Sequence, residues 1–160
     1  MSEAGGLPPT VHAACVIIGT RGILLRGNSG AGKSSLCDLL VEAAGNKGHF
    51  AAHVSDDRTC LRRENGKVVA SPAPTIAGKL EVRGLGIVEL TNEPKAVLHL
   101  VADLVPSGEL ERFPEEDALF VELEGVDLPF VGLEEGRPME NLRRLRWRMR
   151  GLFPKSPDYI

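Results

Sequence analysis

The alternation of apolar and polar residues predicts an α/β chain that opens with a β-hairpin. Two apolar runs, residues 11–18 and 23–26, flank the segment Gly19-Thr20-Arg21-Gly22. Runs of this length around a glycine-containing turn are typical of antiparallel strands. A glycine-rich segment follows at residues 27–34. Apolar residues then recur at helical spacing as far as Ala44, and Gly45 predicts the end of this helix.

The middle of the chain predicts three more strands and one irregular loop. Residues 51–54 form a short apolar run, and residues 59–63 and 67–71 flank Asn65-Gly66, a strong hairpin signal. Residues 78–87 contain three glycines among alternating charges. This composition suits an irregular loop pressed against a ligand better than a strand, so we predict a loop there.

The second half predicts a central strand at residues 96–105, another at 119–123 and a helix at 138–150. Leu142, Leu145 and Met149 mark one face of this helix, and five arginines fill much of the rest. A solvated amphipathic face is the favoured interpretation, and a surface that docks an acidic partner or a neighbouring subunit is the alternative. We expect a central mixed sheet with flanking helices in one domain, residues 11–152, between tails at 1–10 and 153–160.

Composition narrows the class of protein. The 160 residues fit one domain, and their 42% hydrophobic and 26% charged fractions are near the averages for globular proteins. No apolar run is long enough to cross a membrane and no secretory signal is recognisable, so we expect a cytoplasmic protein. A net charge of −3 gives no basic footprint for nucleic acid. Three cysteines without a C-x-x-C pair argue against disulfides and structural zinc.

The glycine-rich segment matches the phosphate-loop motif G-x-x-x-x-G-K-[S/T], with a predicted strand before it and a predicted helix after it. It comprises Gly27, Asn28, Ser29, Gly30, Ala31, Gly32, Lys33 and Ser34. Glycines let backbone N–H groups surround phosphate oxygens, and the helix N-terminus adds partial positive charge. Lys33 can reach the β and γ phosphates, and the Ser34 hydroxyl can bind Mg²⁺. The sequence therefore predicts binding of ATP and Mg²⁺.

Acidic residues at a strand end supply the other groups that phosphoryl transfer requires. Asp56 and Asp57 follow the strand at 51–54 and pair one candidate base with one candidate metal-binding acid. A solvated turn is the alternative for an isolated Asp-Asp pair. His12, Glu81 and Arg83 are unremarkable when each is taken alone.

The string Leu80-Glu81-Val82-Arg83-Gly84-Leu85-Gly86-Ile87 closely resembles the signature segment of HPr kinase/phosphorylase. The order of the other motifs agrees with that family. A histidine precedes Lys33 by 21 residues, and Glu81 follows Asp56 by 25 residues. The resemblance extends from His12 to about Arg112 and implies a P-loop NTPase-like kinase core.

In that family, ATP phosphorylates a serine of the phosphocarrier protein HPr, and the same site removes the phosphate with inorganic phosphate, giving pyrophosphate. The resemblance implies that Asp56 is the base and, in reverse, the acid. His12, Lys33 and Arg112 match active-site positions, and Ser34 and Glu81 match Mg²⁺ ligands. Asp57, Arg83 and Arg137 are expected to support them.

The chain also departs from the family's pattern. The family's N-terminal domain is absent, so we expect a form reduced to the kinase core. The segment before Asp56 is longer than usual, and the stretch between Ile87 and Arg112 is shorter. The family's Pro-Gly-Arg-Asn segment, tied to dephosphorylation, corresponds only to the stretch around Arg137. Family members assemble as homohexamers, so the resemblance implies a homo-oligomer.

Two other functions fit a phosphate loop. The chain could be a small-metabolite kinase, although such enzymes carry an arginine-rich lid and the arginines here crowd one terminal helix. It could also be a non-catalytic ATP-binding module that orders a loop and engages a partner. A GTPase is disfavoured because Asn92-Glu93-Pro94-Lys95 is not the guanine-reading Asn-Lys-x-Asp pattern.

Overall fold

Strands dominate the domain in the computed structural model, which describes residues 9–160. The elements in chain order are β1 Thr10–Ile18, β2 Arg21–Arg26, α1 Lys33–Asn46, β3 Ala51–Ser55, β4 Arg58–Glu64, β5 Lys67–Pro72, β6 Lys79–Val82, β7 Gly86–Glu89, β8 Ala96–Val105, β9 Phe120–Leu123, β10 Val126–Glu134 and α2 Pro138–Leu152. A 3₁₀ turn, Glu116–Leu119, precedes β9. Residues 1–8 of the predicted N-terminal tail lie outside the described part, and Thr10 already belongs to β1.

The main sheet is mixed, as predicted. Its strands follow the order β2-β1-β4-β5-β8-β10-β9, and β3 pairs with β1. Strand β8 runs parallel to β2 and β10 and antiparallel to β5. Because β2 also pairs with β8, the strands β2, β1, β4, β5 and β8 close into a ring. This ring fixes the carboxyl ends of β2, β8 and β10 at one edge.

Both predicted hairpins are confirmed. Strands β1 and β2 pair up to Ile18 and Arg21, leaving a two-residue turn in which Gly19 has φ 62°. Strands β4 and β5 meet at Asn65 and Gly66, whose φ values are 50° and 74°. Two successive positive φ values match the right-handed twist of the strands and favour the Asn-Gly dipeptide.

The end of the first helix differs from the prediction. Helix α1 continues through Gly45 to Asn46. The chain reverses instead at Gly48, whose φ is 78°, and the N–H of His49 returns to the carbonyl of Ala44 at 3.0 Å. A glycine inside a helix lowers stability by only about 1 kcal/mol relative to alanine, so Gly45 does not end α1. The helix ends where Gly48 adopts the left-handed conformation that caps helix C-termini.

The predicted irregular loop at residues 78–87 is wrong, because this segment forms a second, two-stranded sheet. Strand β6 pairs antiparallel with β7, with Glu81 opposite Ile87. Its alternating residues place Leu80 in the core and leave Glu81 exposed. Gly84 lies in the turn with φ 83°, and Gly86 starts β7 with φ 121°. The glycines therefore bend the hairpin without interrupting its strands.

Strand β10 was not predicted, although it lies beside the central strand β8. It runs parallel to β8 from Phe130 to Glu134 and antiparallel to β9 from Val126 to Pro129. Proline and glycine both lower strand propensity, and Pro129 and Gly132 interrupt this run. Pairing with a long buried neighbour outweighs that local preference.

The buried apolar residues form two clusters, one on each face of the main sheet. The first packs beneath both helices and includes Ile23, Leu40 and Leu100. The second is lined by the strand ring and includes Leu24 and Val68. Helix α1 is thereby held against the strand that delivers the glycine-rich loop.

Helix α2 confirms the predicted helix, but most of its arginines are not simply solvated. Arg146 forms a two-pronged contact with Asp158 at 3.0 and 2.6 Å, and Arg148 donates to the carbonyl of Leu119 at 2.9 Å. The Arg146 contact lowers the pKa of Asp158. The last eight residues, predicted to be a tail, pack on the domain, and the chain ends at the buried Ile160.

Candidate active site

The glycine-rich loop joins the end of β2 to the start of α1, as the motif predicts. Gly30 and Gly32 have φ values of 83° and 101°, in the left-handed region. Gly32 is also the N-cap residue of α1 and contributes no side-chain cap, so nothing from the loop competes for the first helical N–H groups. A Cβ on Gly27 would lie 3.1 Å from Leu104, which keeps the loop tight against β8.

Lys33 turns back over the loop that precedes it. Its side chain is 5% exposed, and Nζ donates to the carbonyl oxygens of Gly27 at 2.8 Å and Asn28 at 3.1 Å. A buried ammonium requires such partners, because an unpaired charge away from water is strongly unfavourable. The arrangement holds a positive charge at the centre of the loop.

An open cleft of about 480 Å³ collects most of the predicted site residues. Its lining comprises Ser29, Gly30, Gly32, Lys33, Ser34, Ser35, Asp56, Asp57, Glu81 and Arg83. Ser35 was not among the predicted residues, although its place directly after Lys33 and Ser34 could have suggested it. The cleft thus combines the glycine-rich loop and the cationic Lys33 with three carboxylates. Asp56 and Asp57 come from the turn after β3, and Glu81 comes from the β6–β7 hairpin.

Two short hydrogen bonds connect the aspartates to the other predicted site residues. The Ser34 hydroxyl donates to the Asp56 carboxylate at 2.5 Å, and the His12 ring lies 2.5 Å from the Asp57 carboxylate. Asp57 has φ 65°, a left-handed conformation that aspartate tolerates better than most residues. The turn between β3 and β4 therefore places both carboxylates in the cleft that the glycine-rich loop lines.

A buried pair of hydroxyl groups supports this turn, and sequence reasoning did not predict it. Thr59 is fully buried, and its hydroxyl donates to the carbonyl of Ala13 at 2.7 Å. The Ser55 hydroxyl lies 2.7 Å from the same Thr59 oxygen. The N–H of Ala13 donates in turn to the carbonyl of Asp57 at 3.1 Å. Ala13, the residue after His12, is therefore hydrogen-bonded through its N–H to Asp57 and through its carbonyl to Thr59. These bonds join β1 to the aspartate turn, which is the turn that carries Asp56 and Asp57.

Replacing Thr59 with Val is expected to lower the free energy of unfolding by about 1–3 kcal/mol, because it leaves buried polar groups without a partner at nearly constant volume. For a domain of this size the melting temperature should fall by roughly 2–4 °C per kcal/mol. Thermal denaturation of Thr59→Val and of Thr75→Val, at an exposed turn, provides the comparison. An equal, small shift in both variants would contradict a supporting role for the hydroxyl.

Two predicted arginines do not line the cleft. Arg112 is exposed on the segment after β8, and its guanidinium lies over the Phe113 ring at 5.4 Å. Arg137 precedes α2, is exposed, and lies 3.9 Å from Glu134. Both follow the carboxyl ends of strands at the same edge as the glycine-rich loop, without a described contact to it.

The oxygen donors in the cleft fit a magnesium ion. Mg²⁺ is held in proteins by one or two carboxylates together with substrate phosphates, and it keeps several waters. The Ser34 hydroxyl and the carboxylates of Asp56 and Glu81 provide this chemistry in one cleft. Within residues 9–160 no three His, Cys, Asp or Glu side chains converge as a complete protein cage. This set leaves coordination positions open for water and for a bound phosphate.

The cysteines and Asn92, which belongs to the segment that departs from the guanine-reading pattern, do not line the cleft. Cys15, Cys37 and Cys60 are free and buried, and burial raises the pKa of the Cys15 thiol to about 12. The Asn92 side chain donates to the carbonyls of Val54 at 3.3 Å and Glu93 at 3.2 Å.

No helix in the described part of the chain is long and apolar enough to span a membrane.

Comparison with known families decides the chain's membership. A family model described as the HPr Serine kinase C-terminal domain matches residues 8–96. The chain belongs to this family. The match includes His12, the glycine-rich loop, the aspartate turn and the β6–β7 hairpin. It ends before Arg112 and Arg137, the two predicted arginines outside the cleft.

Similar proteins carry the same family name. The HPr kinase/phosphorylase of Geobacter sulfurreducens is 30% identical over 150 residues, covering 85% of this chain and 44% of that protein. That of Mycoplasma mycoides is 28% identical over 147 residues, covering 82% of this chain and 44% of that protein. The chain therefore spans less than half the length of these curated relatives.

A solved structure, that of the Hpr(Ser) kinase/phosphatase from Coxiella burnetii, has the same fold. It superposes with a TM-score of 0.66 at 24% identity, covering 92% of this chain and 96% of that chain. The mixed α/β architecture predicted from the sequence agrees with this structure.

Proposed function

We propose that the chain is an ATP-dependent serine kinase with a P-loop NTPase-like core, and that its substrate is the phosphocarrier protein HPr. The observation that carries this proposal is the single cleft in which Lys33, Ser34, Asp56 and Glu81 meet. Phosphoryl transfer requires a phosphate cradle, a metal-binding set and a carboxylate for the acceptor hydroxyl, and these residues supply all three. Membership of the HPr kinase family supports the choice of substrate.

The glycine-rich loop would hold the triphosphate of ATP. The N–H groups at the start of α1 are uncapped by side chains, and backbone N–H groups at a helix N-terminus bind anions. Lys33 would exchange its bonds to the loop carbonyls for the β and γ phosphates. Arg83, which also lines the cleft, would add a second positive charge near the transferred group.

Mg²⁺ would be held by Ser34 and Glu81, and when bound it neutralises charge on the nucleotide phosphates. The Asp56 carboxylate would then accept the proton of the substrate serine as its oxygen attacks the γ phosphorus. His12 would fix the orientation of Asp57 through their contact.

We extend the proposal to the reverse reaction named in the relatives. Inorganic phosphate would occupy the position of the β-phosphate of ATP, and one of its oxygens would attack the phosphorus of phosphoserine to form pyrophosphate. The bond from phosphorus to the serine oxygen would break, and protonated Asp56 would give its proton to that oxygen. For Arg112 and Arg137 to assist, the segments that carry them would have to approach the cleft.

From the resemblance to the HPr kinase/phosphorylase family we also propose a cytoplasmic homo-oligomer, a hexamer in particular.

A direct assay separates this function from its alternatives. The protein is incubated with ATP, Mg²⁺ and HPr, and mass spectrometry is used to find phosphoserine, with HPr lacking the acceptor serine as the control. We expect phosphoserine on intact HPr and none on HPr that lacks the acceptor serine. Transfer of the phosphoryl group to a sugar or a shikimate-like metabolite instead would identify a metabolite kinase. Nucleotide binding without any turnover would identify a regulatory module.

A further inference from the structure

The first residue of β4, Arg58, is a cation beside the active-site cleft that the predicted site residues do not include. It directly follows Asp56 and Asp57, and its side chain is exposed. Within residues 9–160 its guanidinium takes part in no ion pair, although two carboxylates precede it in the chain. The charge of Arg58 is therefore not neutralised by the described part of the chain.

The register of the sheet places Arg58 in a row with the glycine-rich loop and His12. The loop follows β2, whose last residue, Arg26, pairs with Ala13 of β1. The residue before Ala13 is His12, which lies directly opposite Arg58 on the other neighbour of β1. Side chains that are directly opposite in an antiparallel pair share a face, with Cβ atoms about 5 Å apart. Arg58 therefore lies on the face on which His12 contacts Asp57, with β1 between it and the loop.

A tight turn fixes the backbone of Arg58 relative to the proposed base. The N–H of Arg58 donates to the carbonyl of Asp56 at 2.7 Å, and Asp57 between them has φ 65°. A three-residue turn with a positive φ at its centre is rare and strained. Such strain persists at functional sites where neighbouring contacts hold it, and here the N–H of Ala13 binds the carbonyl of Asp57. The strained turn thus keeps an exposed cation two residues from the base.

The charges in the cleft call for a cation on the side where the protein substrate enters. The cleft lining contains the carboxylates of Asp56, Asp57 and Glu81 but only two cations, Lys33 and Arg83. Lys33 is buried against the glycine-rich loop and is assigned to the nucleotide. A phosphoserine beside Asp56 brings about two negative charges, which the carboxylates repel. A guanidinium offsets this repulsion with charge-assisted, frequently bidentate bonds to phosphate oxygens.

We propose that Arg58 is a substrate-binding residue that recognises the phosphoryl group of phosphoserine on the protein substrate. It would contact this group from the side of the cleft away from the glycine-rich loop. The inference rests on the proposed function, and it adds a residue for the protein substrate to those assigned to nucleotide, metal and proton.

The test measures the Kd of HPr phosphorylated at the acceptor serine, by titration calorimetry in buffer without inorganic phosphate. In Arg58→Ala we expect this Kd to rise by about tenfold or more, because a charge-assisted contact is lost. Arg58→Lys should recover part of the loss, since it keeps the charge without the planar fork. The Kd of ATP and that of unphosphorylated HPr should stay within about twofold, because neither presents a phosphate to this side of the cleft.

Arg62→Ala is the matched control. Arg62 is exposed on the same strand and, by the alternation of side chains, on the same face, about 13 Å further along. It should leave every Kd within about twofold, and thermal denaturation should show both variants folded, since each removes an exposed side chain.

Three results would overturn the inference. An unchanged Kd of phosphorylated HPr in Arg58→Ala would exclude the contact. An equal loss of affinity for unphosphorylated HPr, or an equal loss in Arg62→Ala, would indicate general attraction between charges. An equal loss of ATP affinity would make Arg58 a nucleotide-binding residue.

The native chain separates this inference from the proposed function. If it phosphorylates HPr and Arg58→Ala still binds phosphorylated HPr at the native Kd, only the role of Arg58 is refuted. If the native chain neither phosphorylates HPr nor binds its phosphorylated form, the proposed function and the role of Arg58 are both refuted.

Discussion

Asp56→Asn is expected to reduce phosphoryl transfer to HPr by about 10²–10⁴-fold, the usual contribution of a positioned general base. The amide keeps the shape of the carboxylate and can still accept the bond from Ser34, which is 2.5 Å long in the native protein. ATP affinity should therefore remain within a few-fold of the native value. Transfer is measured by phosphoserine formation and affinity by titration calorimetry.

Asp117→Asn is the matched control for this variant, because it removes an exposed carboxylate on the 3₁₀ turn far from the cleft lining. It should keep native transfer rates. If Asp56→Asn lost ATP binding and transfer to the same extent, the carboxylate would be a nucleotide or metal ligand. Full activity in Asp56→Asn would exclude the role of base.

Lys33→Ala is expected to weaken ATP binding and transfer together, each by at least about tenfold. The ammonium is the one buried charge in the described part of the chain, and it holds the carbonyls of Gly27 and Asn28. Its loss removes a charge-assisted contact to the triphosphate in both the ground state and the transition state. Nucleotide affinity and kcat/KM report the two effects separately.

Lys155→Ala removes an exposed lysine outside the cleft and serves as the comparison. Circular dichroism and thermal denaturation must show that Lys33→Ala remains folded. Native ATP affinity in a folded Lys33→Ala protein would refute the assignment of residues 27–34 as the phosphate cradle.

Local patterns predicted the elements that carry the glycine-rich loop of the candidate site. The periodicity of apolar residues predicted the first hairpin and α1, and the Asn65-Gly66 dipeptide predicted the turn between β4 and β5. These predictions succeed because the preferences act over a few neighbouring residues. The hairpin at β6 and β7 was missed because glycines at a turn and glycines in an irregular loop leave the same composition. Strand β10 was missed because the neighbour that stabilises it, β8, is more than 20 residues away in the sequence.

The sequence alone indicated the candidate chemistry and the family: a glycine-rich loop with the phosphate-loop pattern, an acid pair at a strand end and a signature segment. Only the tertiary structure decided which of these groups meet. Closure of the strand ring brings Asp56 to Ser34 and His12 to Asp57, and it leaves Arg112 and Arg137 outside the cleft. It also determined the buried hydrogen bonds of Thr59 that support the aspartate turn. These contacts join residues distant in sequence, and their energies depend on burial, which local pattern does not encode.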